Sequence, residues 1–194
     1  MNESDDYARA VAVDSSGNVI ATGDSWNDTV QEYATIAYSE AGAPLWTNRY
    51  HTPGSGNNFA RAIAADSNGN VFVTGGAGGF ATIKYSNAGL PLWTNRYNGP
   101  SAFSFDDTAR AIAVDSGGNV IVTGDSYRDF VTRDIATIAY SNVGVPLWTN
   151  RYNGPANGDD VPLTKQSLAL GSGGSVYVTG ASDGIFRMQR FSIS

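Results

Sequence analysis

Small and hydrophobic residues alternate with polar ones along short runs of the chain, with a period of two rather than 3.6. The run 8–13 alternates Ala with Arg and Val, which suits a strand packed between layers. The runs 19–22 and 34–38 are rich in β-branched and aromatic residues, and the run 45–50 alternates in the same way. The first 50 residues are therefore predicted to form four short antiparallel strands, and we expect almost no helix.

The same runs recur three more times, so the chain is an array of repeats. The phrase Pro-Leu-Trp-Thr-Asn-Arg-Tyr occurs unchanged at 44–50, 91–97 and 146–152. The glycines that end the Thr-Gly phrase, at positions 23, 75, 124 and 180, are 52, 49 and 56 residues apart. This period is typical of propeller blades. We predict one array whose blades span about 5–51, 57–98, 106–153 and 160–194.

A polar cluster follows the first run in three copies and predicts a hairpin turn. It spans 14–18, 66–70 and 115–119, and it begins with Asp and ends with Gly-Asn. Asp can bond its own following backbone, and Gly and Asn tolerate a positive φ. The cluster lacks the alternating oxygen ligands and the later bidentate Glu of a calcium loop. We expect hairpin caps here and no metal.

Both sides of each predicted sheet carry apolar residues, and one sheet cannot cover both sides by itself. Trp46 and Tyr50 lie on one side of the fourth run, whereas Leu45 lies on the other. Stacking blade on blade and closing the stack into a ring covers both sides. The predicted fold is therefore an all-β propeller of four-stranded antiparallel blades. The structural alternative is a β-solenoid or sandwich, although solenoid coils usually have periods shorter than about 50 residues.

The first two runs also resemble a known repeat. The string Ala-Val-Asp-Ser-Ser-Gly-Asn-Val-Ile-Ala-Thr-Gly at 12–23 and its copy at 113–124 are similar to the bacterial SBBP β-propeller repeat and, more distantly, to the NHL repeat. The resemblance touches all four copies. It implies the blade fold and a bacterial parent protein that is extracellular or on the cell surface. It implies no particular activity, because a fold does not fix a function.

The fourth copy departs from the pattern. It has Gln166 where the others have Arg and Gly171 where they have the turn Asp, and only two residues follow its third run, 186–192. We expect a last blade of three strands with an open edge, which is a template for pairing with another chain. Four blades closing alone, two chains forming a ring of eight blades, and a fragment of a longer propeller all fit this pattern. The near-identity of the copies favours the dimer, with self-association through blade edges.

The composition excludes several kinds of chemistry. The 194 residues include no Cys and a single histidine, His51, which removes disulfides, thiolate nucleophiles and the usual zinc sites. A net charge of −6 without a Lys/Arg cluster disfavours nucleic acid. No run approaches 18 apolar residues, and the acidic start at 1–6 is unlike a signal peptide. We expect no cofactor, no nucleic acid partner and no membrane association.

The loops of variable length are predicted to share one end of the blade stack. They connect the second strand to the third and one copy to the next, and variable loops on a rigid scaffold are where recognition usually occurs. Their candidate ligand-binding residues are Trp26 and Asp28 in copy one, Tyr127 and Asp129 in copy three, and the pairs Asp106-Asp107 and Asp159-Asp160. Carboxylates beside aromatic rings can bind sugars, a cationic peptide or Ca²⁺. The alternative is that they are ordinary solvated loop residues.

Three arginines recur on the predicted innermost strand, namely Arg9, Arg61 and Arg110. They are expected to line the central channel. Two roles are open to them: an anion site, or pairing with neighbouring Asp residues, because an inward charge needs a partner.

These observations favour a non-enzymatic module that serves as a binding or structural scaffold for protein or glycan recognition. The rival hypothesis is a propeller glycoside hydrolase, which needs two carboxylates about 5 to 9 Å apart. Adjacent aspartates such as Asp106 and Asp107 point to opposite sides of a strand, so adjacency alone does not make such a pair. A third interpretation is an engineered or excised propeller fragment with no selected ligand.

Overall fold

The computed structural model describes residues 5–101, 107–162, 164, 166–182 and 185–192. The first sheet contains β1 (Tyr7–Val13), β2 (Val19–Trp26), β3 (Gln31–Tyr38) and β4 (Pro44–Tyr50). The second contains β5 (Phe59–Ala65), β6 (Val71–Gly76), β7 (Phe80–Tyr85) and β8 (Pro91–Tyr97). The third contains β9 (Thr108–Val114), β10 (Val120–Tyr127), β11 (Arg133–Tyr140) and β12 (Pro146–Tyr152). The fourth contains β13 (Asp160–Val161), β14 (Leu168–Leu170), β15 (Ser175–Ser182) and β16 (Ile185–Ser192), with a short 3-10 helix at Ser172–Gly174.

Each of the first three sheets is an antiparallel meander in chain order, as the period-two pattern predicts. In the fourth sheet β13 and β14 both pair with one edge of β15, and β16 pairs with its other edge. The last blade therefore has three strand positions, as predicted, but its first strand is split in two. Pro162, which has no N–H to donate, follows β13. The ladder resumes where the Thr179 N–H donates to the Ser167 carbonyl.

The repeated polar clusters are hairpin turns, which confirms the prediction. The Asp14 carboxylate accepts hydrogen bonds from the Ser16 and Asn18 N–H groups at 2.8 and 2.9 Å and from the Asn18 side chain at 2.9 Å. Gly17 takes a φ of +81°, a conformation that favours glycine. Asp66 and Asp115 make the same three bonds. These carboxylates are therefore used by their own turns.

The blades stack through the sides that carry tryptophan. We call the side of a blade that bears Trp46, Trp93 or Trp148 its trailing face, and the opposite side its leading face. The Trp46 Nε1–H donates to the Asn87 carbonyl of the second blade at 3.1 Å, and Trp93 does the same to Asn142 of the third at 3.2 Å. Three buried apolar clusters lie between blades one and two, two and three, and three and four. Burial between repeated sheets therefore forms the core.

The first strand of each blade packs against the first strand of the next, through the pairs β1 with β5, β5 with β9, and β9 with β14. This is the radial arrangement of a β-propeller, with the first strand innermost. Within the described ranges no apolar cluster joins the fourth blade to the first. The four blades therefore form an arc. No helix in the described part of the chain is long and apolar enough to span a bilayer.

Two β-bulges recur in the first three blades, and the alternation pattern does not predict them. One lies in the first strand at Arg9, Arg61 and Arg110. The other lies in the fourth strand at Leu45, Leu92 and Leu147. A bulge adds one residue and changes the direction of its side chain. The bulged leucines are exposed, so the expectation that Leu45 needs cover from a neighbouring blade is wrong.

Candidate recognition face

The variable loops lie together at one end of the stack, which we call the loop face. It comprises the loop residues 27–30, 51–58, 77–79, 98–101, 128–132 and 153–159, together with Trp26 and Tyr127 at the ends of β2 and β10. Two of the loops between copies are fastened to the preceding blade. The Asn58 N–H donates to the Gln31 carbonyl at 2.8 Å, and the Arg133 N–H donates to Asp159 at 2.9 Å.

Asp107, a predicted ligand residue, is fully buried and fastens two loops together. One of its oxygens accepts from the Tyr127 N–H at 2.6 Å, and the other accepts from the Gly99 N–H at 2.7 Å and the Ser126 hydroxyl at 2.9 Å. Burial raises the pKa of Asp107, and these hydrogen bonds offset part of that increase. The carboxylate therefore holds the loop in place and is not presented at the surface. Asp106 lies outside the described residues.

Asp160 and Asp6 occupy the corresponding position in two other copies. Asp160 is also fully buried, and its carboxylate accepts from the Gly154 N–H at 2.6 Å. Asp6 is exposed and accepts from the Trp26 N–H at 3.1 Å. The second Asp of each pair thus fastens the segment before a first strand. The structure does not place Asp160 where a ligand in solution would reach it, because it is buried.

Asp129 and Asp28 both lie at loop tips, but they differ in what they hold. Asp129 accepts from the Val131 and Thr132 N–H groups at 3.0 and 2.8 Å and from the Thr132 hydroxyl at 2.6 Å. The hydroxyl bond, with the two backbone bonds, lowers the pKa of Asp129 to about 2. Asp28 is exposed with a φ of +72°, and its neighbour Asn27 makes the corresponding turn bonds. Asp28 is the freer of these two carboxylates.

Arg133 brings two of the predicted residues together. Its guanidinium donates to Asp159 at 2.8 Å, lies 3.5 Å from Asp125, and stands 5.9 Å from the centre of the Tyr127 ring. The hydrogen bond from Arg133 lowers the pKa of Asp159. Asp159 and Tyr127 are therefore parts of one ion-paired network in the third blade. No hydrogen bond, ion pair or ring contact between described residues links this network to Trp26 or Asp28.

Sequence reasoning missed Arg151, the arginine of the repeated Pro-Leu-Trp-Thr-Asn-Arg-Tyr phrase. Its guanidinium donates to the Tyr97 hydroxyl of the preceding blade at 2.9 Å and to the Ser126 hydroxyl at 2.7 Å. It also pairs with the buried Asp134 at 3.0 Å. The exact recurrence of the phrase was the available signal, because it contains both the arginine and the tyrosine that meet across adjacent blades.

Apolar side chains are also left exposed on the loop face. Phe130 and Val131 at the tip of the third-blade loop are 72% and 77% exposed, and Trp26 is 36% exposed. Tyr127 is half-buried beneath Arg133. Trp26 was predicted, whereas Phe130 and Val131 were not, because a short apolar pair between polar residues has no distinctive pattern.

The three inner arginines have unequal partners. Arg9 donates to the buried Asp24 at 2.8 Å, and Arg110 is paired with the buried Asp125. The second blade has Gly76 at the corresponding register position, and the Arg61 Nε has no hydrogen-bond partner in the part of the chain that is described. Desolvation lowers the pKa of the Arg61 guanidinium, and the neighbouring arginines lower it further against the opposing effect of Asp24. Of the two roles expected for these arginines, pairing with Asp is therefore observed for Arg9 and Arg110.

The buried carboxylates of the loop face differ from those that a glycosidase uses. A glycosidase needs an accessible acid with a raised pKa near a second carboxylate. Asp107, whose pKa is raised, is buried beneath three hydrogen-bond donors. Within the described ranges no three His, Asp or Glu residues are grouped to hold a metal ion. What the face presents instead is fixed loops with apolar tips.

This arrangement of blades defines the chain as a β-propeller arc. A protein of unknown function from Bacteroides caccae superimposes with a TM-score of 0.56 at 15% identity, covering 98% of this chain and 62% of that one. The chain thus spans less than two thirds of that structure. A glycosyl hydrolase from Bacteroides ovatus superimposes with a TM-score of 0.43 at 10% identity, covering 96% of this chain and 64% of that one. BamB from Moraxella catarrhalis superimposes with a TM-score of 0.37 at 15% identity, covering 96% of this chain and 77% of that one.

At these identities the likeness concerns the fold alone, and nothing about activity follows from it. No protein-family description matches the sequence, and no curated protein does. The propeller prediction is confirmed, and the resemblance to the SBBP repeat stays a prediction.

Proposed function

We propose that this chain is a non-enzymatic propeller module that recognises a protein or glycan through its loop face. The observation that carries the proposal is the exposure of Trp26, Phe130 and Val131 on loops whose backbones are fixed by hydrogen bonds. Fixed loops lose little conformational entropy when a ligand binds, so more of the contact energy appears as affinity.

The exposed groups suit contact recognition. Aromatic rings stack on the apolar faces of sugars and anchor many protein interfaces. Phe130 and Val131 follow each other in the loop between β10 and β11, and both side chains are mostly exposed. The net charge of −6 favours a neutral or cationic ligand over a polyanion.

The carboxylates support the same interpretation. General acid catalysis requires a carboxyl group that can reach its substrate. Asp107 and Asp160 are buried, and Asp159 is paired with Arg133. These groups hold the loops in position.

The test uses an array of defined immobilised glycans and a phage-displayed random peptide library. Trp26→Ala and Phe130→Ser are compared with the matched control Leu90→Ser, which removes an exposed apolar residue at the opposite end of the stack. We expect wild type and Leu90→Ser to retain the same glycan or peptide hits, and the loop-face variants to lose them about tenfold or more. Hits that survive both loop-face substitutions would contradict the assignment of the face. Hydrolysis of 4-nitrophenyl glycosides that Asp107→Asn abolishes would contradict the non-enzymatic function.

A further inference from the structure

We propose that the leading face of the first blade binds the trailing face of the fourth blade of a second copy of this chain. The proposal concerns a different surface from the loop face and does not depend on its function. Two copies joined in this way at both junctions form a closed ring of eight blades.

The leading face of the first blade has the same kind of surface as those buried between blades, but it is open. Its residues are Val19, Ala21, Gly23, Ala34, Ile36 and Tyr38. Val19 and Tyr38 are each 37% exposed, whereas Val71 and Tyr85 at the same positions of the second blade are 1% and 3% exposed. A groove of about 330 Å³ runs over Gly23, with Arg49 at its rim.

The internal junctions show what enters such a groove. In each, a side chain from the third strand of one blade lies against the second-strand glycine of the next. A Cβ at the glycine would lie 2.6 to 2.9 Å from that side chain, in the pairs Tyr33 with Gly75, Phe80 with Gly124 and Ile135 with Gly180. Gly23 is the corresponding glycine of the first blade. In the fourth blade the backbone register places Phe186 opposite Ala181, the position that Ile135 holds opposite Asp125.

A cation on the trailing face of the fourth blade matches one at an internal junction. Lys84 pairs in register with Phe72, its ammonium stands 5.1 Å from the centre of that ring, and it donates to the Asn142 carbonyl of the next blade at 2.9 Å. Arg190 pairs in register with Tyr177 and stands 6.0 Å from the centre of that ring. Arg190 therefore holds the position of Lys84 in the fourth blade. Its side chain is exposed, whereas Lys84 is covered by the next blade.

Among the described turns that hold this position, only that of the first blade carries an acidic residue, at the place where Arg190 of a second copy would lie. Its turn between third and fourth strands places Glu40 at the position that Asn142 holds in the third blade, and both turns close with the same backbone bond. Glu40 is exposed, and no described residue forms an ion pair with it. Charge complementarity of this kind selects and orients partners. The opposed charges of Glu40 and Arg190 therefore favour a second copy as the occupant.

This junction is expected to be weaker than the internal ones. Gly144 lies under the Trp93 ring of the preceding blade, whereas nothing lies within 4 Å of a Cβ at Gly42, the corresponding residue of the first blade. Within the described residues the fourth blade has no fourth strand to supply that tryptophan. The dimer is therefore expected to dissociate on dilution.

The first test is disulfide cross-linking, which is clean because the chain has no cysteine. Glu40→Cys and Arg190→Cys are made in separate chains, mixed and oxidised. On a non-reducing gel we expect a band at twice 20.4 kDa, which disappears when the sample is reduced. The control mixes Asn87→Cys with Arg190→Cys, because the second blade's leading face is already occupied. Equal cross-linking in the control, or a double variant that cross-links only within one chain, would overturn the proposal.

The second test is charge reversal, measured as molar mass by sedimentation over a range of concentrations. Glu40→Arg and Arg190→Glu are each expected to weaken association by roughly tenfold or more, and the double variant is expected to restore it. Both positions are exposed, so circular dichroism should confirm an unchanged fold. A wild-type mass of 20.4 kDa at every concentration, or single variants that associate like wild type, would refute the second copy as occupant.

Discussion

Replacing Asp107 by Asn tests whether the buried aspartates of the loop face are structural. The substitution keeps the size of the side chain but leaves one acceptor oxygen where there were two. If that oxygen serves Gly99 and Ser126, the new amide N–H group faces the Tyr127 N–H, donor against donor. If the oxygen instead serves Tyr127, the amide N–H group faces the Gly99 and Ser126 donors.

The expected loss follows from those contacts. An unsatisfied, partly buried donor costs about 1 to 3 kcal/mol, and the two remaining bonds lose their charge assistance, about 1 kcal/mol each. Burying the charged carboxylate of Asp107 costs free energy, as its raised pKa indicates. The neutral amide avoids that cost, which offsets part of the lost stability. The net change is about 2 to 3 kcal/mol in the free energy of unfolding.

Urea unfolding at pH 7, followed by the fluorescence of the four tryptophans, measures this change. With a slope of about 2 kcal/mol per molar urea, the midpoint should fall by about 1 M. The matched control is Asp6→Asn, where one exposed hydrogen bond to Trp26 is at stake and the change should stay within about 0.5 kcal/mol. Amide exchange at Gly99 and Tyr127 should accelerate only in the Asp107 variant. Equal stability of the two variants, with unchanged exchange, would refute the structural role.

Two further predictions concern a turn and an ion pair. Gly144→Ala should lower the free energy of unfolding by about 1 to 3 kcal/mol more than Gly42→Ala, because both glycines have a positive φ but only at Gly144 would the Cβ lie 2.8 Å from the Trp93 ring; equal losses in urea would contradict this. The Arg133 hydrogen bond lowers the pKa of Asp159 below 3.8 in the folded state, so its stabilisation is present above that value and is lost as the pH falls through the folded-state pKa. The protection factors of the amides in the loop 153–160, taken relative to intrinsic exchange at each pH, should therefore fall below about pH 4 in wild type, and Arg133→Gln should show low protection already at pH 7.

The architecture could be predicted from the sequence because it depends on local features that repeat. The Asp-to-Asn turns fix the first hairpin of three blades by bonds within five residues, as at Asp14 and Asn18. The alternation in Pro-Leu-Trp-Thr-Asn-Arg-Tyr placed Trp46 on the side that meets the next blade, and it does meet it. Both features can be read from residues close together in the sequence, without knowing which distant residues they contact.

The state of the site residues could not be predicted in the same way, because it depends on distant partners. Asp107 and Asp129 look alike in the sequence, as loop carboxylates near an aromatic residue. One is buried and accepts a hydrogen bond from Gly99, and the other caps its own turn at the surface. The bulge at Arg9 is also invisible in an alternating run, yet it directs that side chain to Asp24.

Near-identical copies make their few differences informative, since a repeated position that changes has changed against the same background. Arg9 and Arg110 each meet a carboxylate, whereas the second blade offers Arg61 only Gly76 at that position. The fold tolerates this difference because the Arg61 side chain is only partly buried, so its charge is not wholly desolvated. The same reasoning applies to Glu40, which stands where the second and third copies carry asparagine. No described residue of the first blade forms an ion pair with it. Where packing within a blade does not account for a residue, as at Glu40, we expect a partner from outside the blade.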